Sequence, residues 1–245
     1  MDKNNLVISL FRGIGLLDKA FEKVGYCIVA GPDLLWGGNI KTFHPPANTF
    51  GGLIGGPPCQ AFSQLNALVK HNGYQVAEDL IPEFQRCVCE AQPTWFLMEN
   101  VKAAPVPQIT GYTISSVLLN NRWFGGEQNR NRVFNFGLKG TTKLNWWKYL
   151  NIVALENPKK STAVLASGYR TKTGRWLNKN GASRASVAEA IRLQGLPPDF
   201  FKHSPFTVKA QQRMLGNGVP LPMGIAVANA IRNFLNEINL KESKV

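Results

Sequence analysis

Two side chains able to do chemistry stand at the ends of apolar runs. Cys59 lies in GGPPCQAFSQ (55–64), where an apolar run is stopped by two glycines and two prolines. Cysteine attacks as the thiolate, which a following helix N-terminus or basic neighbours favour, so Cys59 is a candidate nucleophile; the alternative is a buried structural cysteine. Glu99 follows the uncharged run TWFLM, and a carboxylate leaving a buried strand needs either a task or a partner.

Arg130 and Arg132 stand two residues apart in QNRNR (128–132), just before the apolar run VFNFGL. Residues i and i+2 share a face of an extended chain, so both guanidinium groups can point the same way. Either arginine could form a salt bridge with Glu99, in which case that carboxylate is structural. The other interpretation is that Glu99 holds a proton on a ring nitrogen of a substrate.

The stretch FRGIG (11–15) predicts a glycine turn between a strand and a helix. The apolar run NLVISL precedes it, and LLDKAFEKVGY follows it with apolar residues at helical spacing. Such a turn allows close approach of a cofactor to the backbone and points a helix N-terminus at it. Asp18 occupies the place of the third glycine of the dinucleotide fingerprint, which disfavours NAD.

Short apolar runs recur along the chain and predict the fold class. YCIVAG (26–31), FGGLIGG, TWFLME (94–99) and VFNFGL (133–138) suit a sheet with both faces covered. Alternation with helices predicts an α/β, doubly wound, mostly parallel sheet. Ligands bind beyond the carboxyl ends of such strands, where FRGIG, PPC and ENV all fall. A capping box at Ser186–Glu189 and a last helix over about 222–238 close the fold.

Composition bounds the class of protein. The chain has 245 residues, of which 44% are hydrophobic and 18% charged, as in an ordinary folded domain. The four cysteines form no CxxC pair and have no accompanying His cluster, so we expect free thiols and no metal site. We also expect no membrane-spanning run and no signal peptide, and therefore a cytoplasmic protein.

The net charge of +13 is concentrated in one region. Residues 139–184 contain ten Lys or Arg and a single acid, Glu156, and show little periodicity. We therefore expect a small basic lobe at 139–184, inserted in a domain formed by 1–138 and 185–245. Such a charge suits the phosphate backbone of a nucleic acid; the alternative is a solvated basic loop.

Six segments occur in a specific order, and together they resemble a known family. They are LFRGIGLLDKAF, GGPPCQAFS, ENV, QNRNRVF, AEAIRLQGLP and GNGVP (216–220). In this order they resemble the DNA cytosine-5 methyltransferase family over nearly the whole chain except about 139–184. The resemblance implies a Rossmann-like, S-adenosylmethionine-dependent methyltransferase domain with a target-recognition region in the basic lobe.

The resemblance implies a role for each catalytic candidate. Cys59 would attack C6 of a cytosine flipped out of duplex DNA, and C5 would then take the methyl group of S-adenosylmethionine. Glu99 would contact N3 and support its protonation. Arg130 and Arg132 would bind the flipped base and its phosphate and steady Glu99.

The resemblance also implies cofactor and DNA contacts. The donor site would comprise Phe11, Arg12, Gly13, Ile14, Gly15, Asp33, Pro58, Asn217 and Val219. DNA would be contacted by Gln60 and Ser63, in a loop that closes on it, and by Gln128, Lys172 and Arg175. Trp146, Trp147, Tyr149 and Trp176 could stack on bases or form a small core for the lobe.

Four departures from the family pattern lie on the cofactor side. Ser9 stands where the family usually has Asp, and the ribose-binding Glu is missing, with Asp33 as the best substitute. An acidic residue expected near the third strand is not evident. Arg12 replaces a small residue; it could pair with an extra carboxylate on the donor, as in a carboxylated S-adenosylmethionine, or point to solvent.

Two other classes of function fit the same motifs. One is an RNA cytosine-5 methyltransferase acting on tRNA, and the other is a non-catalytic DNA-binding relative. We expect a monomeric DNA-modifying enzyme, and the small size of the lobe predicts a short target sequence.

Overall fold

The computed structural model describes residues 5–62, 78–153, 161–166, 169–170, 176–177 and 186–242. Within these ranges the strands are β1 (Leu6–Leu10), β2 (Cys27–Ala30), β3 (Gly52–Gly55), β4 (Trp95–Asn100), β5 (Tyr112–Asn120), β6 (Gln128–Asn129), β7 (Asn131–Lys139), β8 (Ser161–Thr162), β9 (Tyr169–Arg170) and β10 (Trp176–Leu177). The helices are α1 (Leu16–Lys23), α2 (Ile81–Ala91), α3 (Val187–Leu193), α4 (Val208–Asn217) and α5 (Leu221–Glu242).

Six of these strands form one mixed sheet in the order β2-β1-β3-β4-β7-β5. The strands β1 to β4 pair in parallel, whereas β7 runs antiparallel to both β4 and β5. The predicted α/β class with a mostly parallel sheet is confirmed. The sequence did not predict β5 or the reversed direction of β7.

Successive residues of each central strand face opposite sides of the sheet, and each side has its own helices. On one side Val7, Ile54 and Leu97 join the apolar residues of α1 and α5. On the other side Leu53 and Phe96 join those of α2. Because both faces are covered, the central strands read as continuous apolar runs rather than alternating ones.

Glycines opposite large aromatic rings let the central strands pair closely. Gly52 lies opposite Trp95, and Gly137 lies opposite Phe96. A Cβ atom at either glycine would overlap the facing ring. Gly52, at the start of β3, is therefore required by packing.

The basic region is divided between the core and the lobe. Leu144 and Trp146 are buried in the same cluster as α5, and Trp146 lies 5.8 Å from Phe136 between ring centroids. Tyr149 packs against Phe234. Leu144, Trp146, Tyr149 and Leu150, which the sequence assigned to the lobe, thus pack in the core of the main domain. Further along, β8 pairs in parallel with β6, and β9 pairs antiparallel with β10.

One stretch, Val208–Leu240, has the length and hydropathy of a membrane span, with a mean hydropathy of 1.3. This differs from the expectation, drawn from the sequence, that no run is long and apolar enough to span a membrane. However, 61% of the 18-residue window that has this mean hydropathy is buried inside the protein. The stretch consists of α4 and α5, and apolar core helices of soluble proteins have the same property.

Candidate active site

A cavity of about 900 Å³ opens at the carboxyl ends of β1, β3 and β4. Of the predicted site residues, it is lined by Phe11, Arg12, Gly13, Ile14, Asp33, Pro58, Cys59, Glu99, Arg132, Asn217 and Val219. Residues from several separate segments of the sequence therefore converge as predicted on one rim of the sheet. Gly15, the N-cap residue of α1, has a φ of 73° and is not among the lining residues.

Cys59 follows the carboxyl end of β3, and a residue of the neighbouring strand β4 holds its loop in place. It starts a 3₁₀ turn, Cys59–Phe62, and is half-buried. The buried Asn100 donates from Nδ2 to the carbonyl of Pro57 at 3.1 Å, which fixes the PPC loop against the end of β4. Sequence reasoning missed this role of Asn100, although its place within ENV was a signal.

Glu99 and Arg132 form an ion pair in the cavity. Arg132 Nε lies 2.8 Å from Glu99 Oε1, and Glu99 is 7% exposed. Burial raises the pKa of Glu99, while the charges of Arg132 and Arg130 oppose that rise. Gly56 gives the carboxylate its room, since a Cβ there would lie 3.0 Å from Glu99 Oε2. The arrangement provides a buried acid that holds a proton more readily than an exposed glutamate does.

Arg130 is not among the residues that line this cavity, and it binds three backbone carbonyls. It donates to the carbonyls of Val164 at 2.8 Å, Gly216 at 2.7 Å and Gly218 at 2.9 Å. Burial lowers the pKa of Arg130 to about 9, so the guanidinium remains charged at neutral pH. These contacts position the GNGVP loop, and the contact of Arg130 with base and phosphate stays a prediction.

Gln128, which we expected to contact DNA, is fully buried. Its Nε2 donates to the carbonyl of Leu193 at 2.7 Å and to Gln194 Oε1 at 3.0 Å, and its Oε1 accepts from Val164 N at 3.2 Å. Gln194 in turn donates to the carbonyl of Leu215. This correction follows from burial, because a satisfied internal amide has no surface to offer to DNA.

The glycine turn is closed by the loop after β2. Gly13, at a φ of 53°, donates its N–H to Asp33 Oδ2 at 2.9 Å, and its carbonyl accepts from Trp36 Nε1 at 2.7 Å. Phe11 has a φ of 52°, which a residue other than glycine rarely adopts and which marks backbone strain at a site. Sequence reasoning missed Trp36. The carboxylate of Asp33 is engaged in fixing the turn.

Arg12 and Ser9 share a buried acid. Asp18, which is 2% exposed, accepts from Ser9 Oγ at 2.5 Å and from Arg12 Nε at 2.9 Å. Burial raises the pKa of Asp18, and the bonds from Ser9 and Arg12 oppose that rise. The acid missing from position 9 is thus replaced by one on the first turn of α1, and that acid holds Arg12 at the rim of the cavity.

Several predicted contacts lie outside the described residues. They are Ser63, Lys172 and Arg175, and the side chain of Gln60. Within the described part of the chain, no group of three His, Cys, Asp or Glu side chains is arranged to hold a metal ion.

Comparisons with known proteins show which family this chain resembles. A family model described as C-5 cytosine-specific DNA methylase matches residues 38–165 and 144–233. The Type II methyltransferase M.NgoPII of Neisseria gonorrhoeae is 24% identical over 331 aligned positions, covering 94% of this chain and 96% of the relative. The Orphan methyltransferase M.Rho11sI of Bacillus phage rho11s is 28% identical over 167 positions, covering 54% of this chain and 33% of the relative.

Solved structures show the same fold. The S. pombe Dnmt2 methyltransferase superposes with a TM-score of 0.65 at 14% identity, covering 96% of this chain and 99% of that chain. The fold is therefore that of a Rossmann-like methyltransferase. Since the family model matches well over half of the residues, the chain belongs to the C-5 cytosine-specific DNA methylase family, and its enzyme class is DNA cytosine-5 methyltransferase.

Proposed function

We propose that this protein transfers a methyl group from S-adenosylmethionine to C5 of a cytosine in duplex DNA. The observation that carries the proposal is the meeting of Cys59, Glu99 and Arg132 with the glycine turn in one cavity. The target atoms of cytosine are not accessible inside a stacked duplex, so the base must be flipped into the cavity.

Cys59 is the nucleophile of the proposed reaction. Its thiolate adds to C6 of the flipped cytosine, which makes C5 electron-rich and able to attack an electrophilic carbon. After transfer, loss of the C5 proton and elimination of the thiolate release the product and regenerate Cys59.

Glu99 supports the addition at C6 by holding a proton on N3 of the base. A carboxyl whose pKa is raised by burial keeps a proton more readily than an exposed one, which suits this role. Arg132 holds the carboxylate at 2.8 Å and thereby fixes its orientation. Arg130 acts indirectly, because it positions the loop that carries Asn217 and Val219.

The cavity fits a nucleoside cofactor together with a base. Its volume is within the range of small-molecule sites, and the left-handed glycine turn leaves open space at Gly13, where a Cβ would meet nothing within 4 Å. The residues proposed to hold S-adenosylmethionine are those of the turn together with Asp33, Pro58, Asn217 and Val219. When bound, the donor supplies an electrophilic methyl group next to C5.

DNA is the favoured polymer. The family model is that of a DNA methylase, and the relatives are named type II and orphan methyltransferases. The basic region 139–184 supplies the positive charge that a phosphate backbone needs, and we assign Lys172 and Arg175 to DNA contacts there, together with Ser63. A single chain carries the proposed nucleophile, acid and donor site, so we propose that the enzyme acts as a monomer.

The proposal is tested by trapping on modified DNA. A duplex containing 5-fluorocytosine, incubated with the protein and S-adenosylmethionine, should give a denaturant-resistant adduct at Cys59, because fluorine blocks the final elimination. Cys59→Ser is the control and should form no adduct while binding DNA as before. Absence of an adduct with the unaltered protein would refute the covalent route.

A second measurement separates the polymer classes. Labelled methyl groups should appear in duplex DNA, and bisulfite sequencing of DNA from expressing cells should give the sequence context. Transfer to tRNA but not to DNA would instead establish the RNA methyltransferase. If neither S-adenosylmethionine binding nor transfer is found, the protein is a non-catalytic relative.

A further inference from the structure

The charges that line the donor cavity do not balance. Each carboxylate there already has a partner: Glu99 has Arg132 at 2.8 Å, Glu78 has Lys41 at 2.7 Å, and Asp33 accepts from two backbone N–H groups. Lys209 and Arg213 also line the cavity; they lie one turn apart on α4, and both are exposed. Neither forms an ion pair with another residue in the described part of the chain.

Arg12 offers a fixed hydrogen-bond donor beside these two cations, although its own charge is paired with Asp18. Its Nε is bonded to Asp18, which in turn is fixed by Ser9, so the guanidinium is anchored at one edge. The side chain remains 30% exposed at the cavity, and the terminal nitrogens are not bonded to any described residue. A guanidinium anchored at one edge and open at the other is suited to a planar anion such as a carboxylate.

We propose that the donor cavity also takes an S-adenosylmethionine whose transferable carbon bears a carboxylate, and that the enzyme transfers this carboxymethyl group to cytosine C5. The inference rests on the proposed function. Ordinary S-adenosylmethionine has two positive groups and one carboxylate, so it carries a net positive charge. The unpaired cations Lys209 and Arg213 repel that charge. The carboxylated donor has no net charge and offers Arg12 a second carboxylate.

The transfer balances in the same way as methylation. The C5 carbon of the Cys59 adduct attacks the CH₂ group of the donor, and the bond between sulfur and that carbon breaks. The sulfur keeps the electron pair and leaves as S-adenosylhomocysteine. Loss of the C5 proton and elimination of Cys59 give 5-carboxymethylcytosine, and no oxidant or reductant is needed.

Donor binding without DNA gives a readout that does not depend on turnover. Isothermal titration calorimetry with each donor yields two dissociation constants, and their ratio isolates the added carboxylate because the remaining groups are shared. Arg12→Gln should shift this ratio against the carboxylated donor by about tenfold or more, the effect of one charge-assisted hydrogen bond. Arg12→Lys should shift it less. Lys23→Gln, at the exposed last turn of α1, should leave it unchanged.

Product analysis completes the test and separates the two proposals. Digested DNA is examined by mass spectrometry after incubation with each donor. Formation of 5-carboxymethylcytosine, with the ratio dependent on Arg12, supports the inference. Formation of 5-methylcytosine alone, or a donor ratio that Arg12→Gln and Arg12→Lys leave unchanged, overturns it and leaves the proposed function standing. If neither product forms with either donor, the proposed function itself is refuted.

Discussion

Replacing Arg130 by lysine tests whether this side chain acts through the GNGVP loop. The arginine joins the carbonyls of Val164, Gly216 and Gly218, whereas the compact ammonium group of a lysine can reach only one of them. Two buried carbonyls are then left without a charged donor. At roughly 1–3 kcal/mol for each, the expected decrease in unfolding free energy is about 3 kcal/mol.

For a chain of this length, about 3 kcal/mol lowers Tm by roughly 6–12 °C. Because Asn217 and Val219 line the cavity, the displaced loop should also weaken donor binding, by about tenfold. Saturating donor should restore most of kcat. Urea denaturation, thermal denaturation and donor titration of Arg130→Lys measure the three effects.

Arg192→Gln is the matched control. Arg192 lies on α3 close to the same network, but it is exposed and pairs with Glu127 at the surface. Exposed pairs contribute little to stability, so we expect no change in Tm or donor affinity. If Arg130→Lys is as stable as the unaltered protein, or if it loses stability while its donor affinity is unchanged, the positioning role of Arg130 is wrong.

Three further changes test the site and the lobe. Gly56→Ala should push the carboxylate of Glu99 away from Arg132 and lower turnover by about tenfold, with little change in Tm. Steady-state kinetics and thermal denaturation measure the two effects. Full activity of Gly56→Ala would contradict the close approach of position 56 to the Glu99 carboxylate. Burial raises the pKa of Glu99 above 4.5, so above that pH the folded state keeps a proton that the unfolded state has released, and the unfolding free energy falls as pH rises. Glu99→Gln should remove part of this fall in urea denaturation measured from pH 4.5 to 7. An unchanged dependence of the unfolding free energy on pH would exclude the raised pKa. Replacing Lys159 and Lys160 by Gln should weaken DNA binding. The slope of the logarithm of the binding constant against the logarithm of salt concentration should fall by about one for each phosphate that is no longer neutralised. An unaltered slope would place those charges away from DNA.

The local parts of the fold could be read from the sequence. The first strand, glycine turn and helix follow from an apolar run, two glycines and helical spacing within residues 5–25. The convergence of Cys59 and Glu99 could also be predicted, because the carboxyl ends of parallel strands share one edge of the sheet. In both cases the signal is a short apolar run and the residues that directly follow it.

The predictions that failed depend on contacts between distant segments. The direction of β7 and the existence of β5 are decided by their pairing with β4 and with each other, which no local pattern encodes. Trp146 lies in a basic stretch, yet it packs with Phe136 and α5 in the core. Gln128 is polar, and only the fold shows that Gln194 and Leu193 satisfy its amide.

The short segment 161–166 ties the basic region 139–184, in which we place target recognition, to the rest of the domain. The N–H of Val164 donates to Gln128 and its carbonyl accepts from Arg130. Two residues earlier, β8 pairs in parallel with β6. Stretches before and after this anchor could therefore be exchanged between homologues as a specificity cassette. Chimeras that keep residues 161–166 would read a new site with the original chemistry, whereas a graft that replaces the anchor would also disturb the donor pocket.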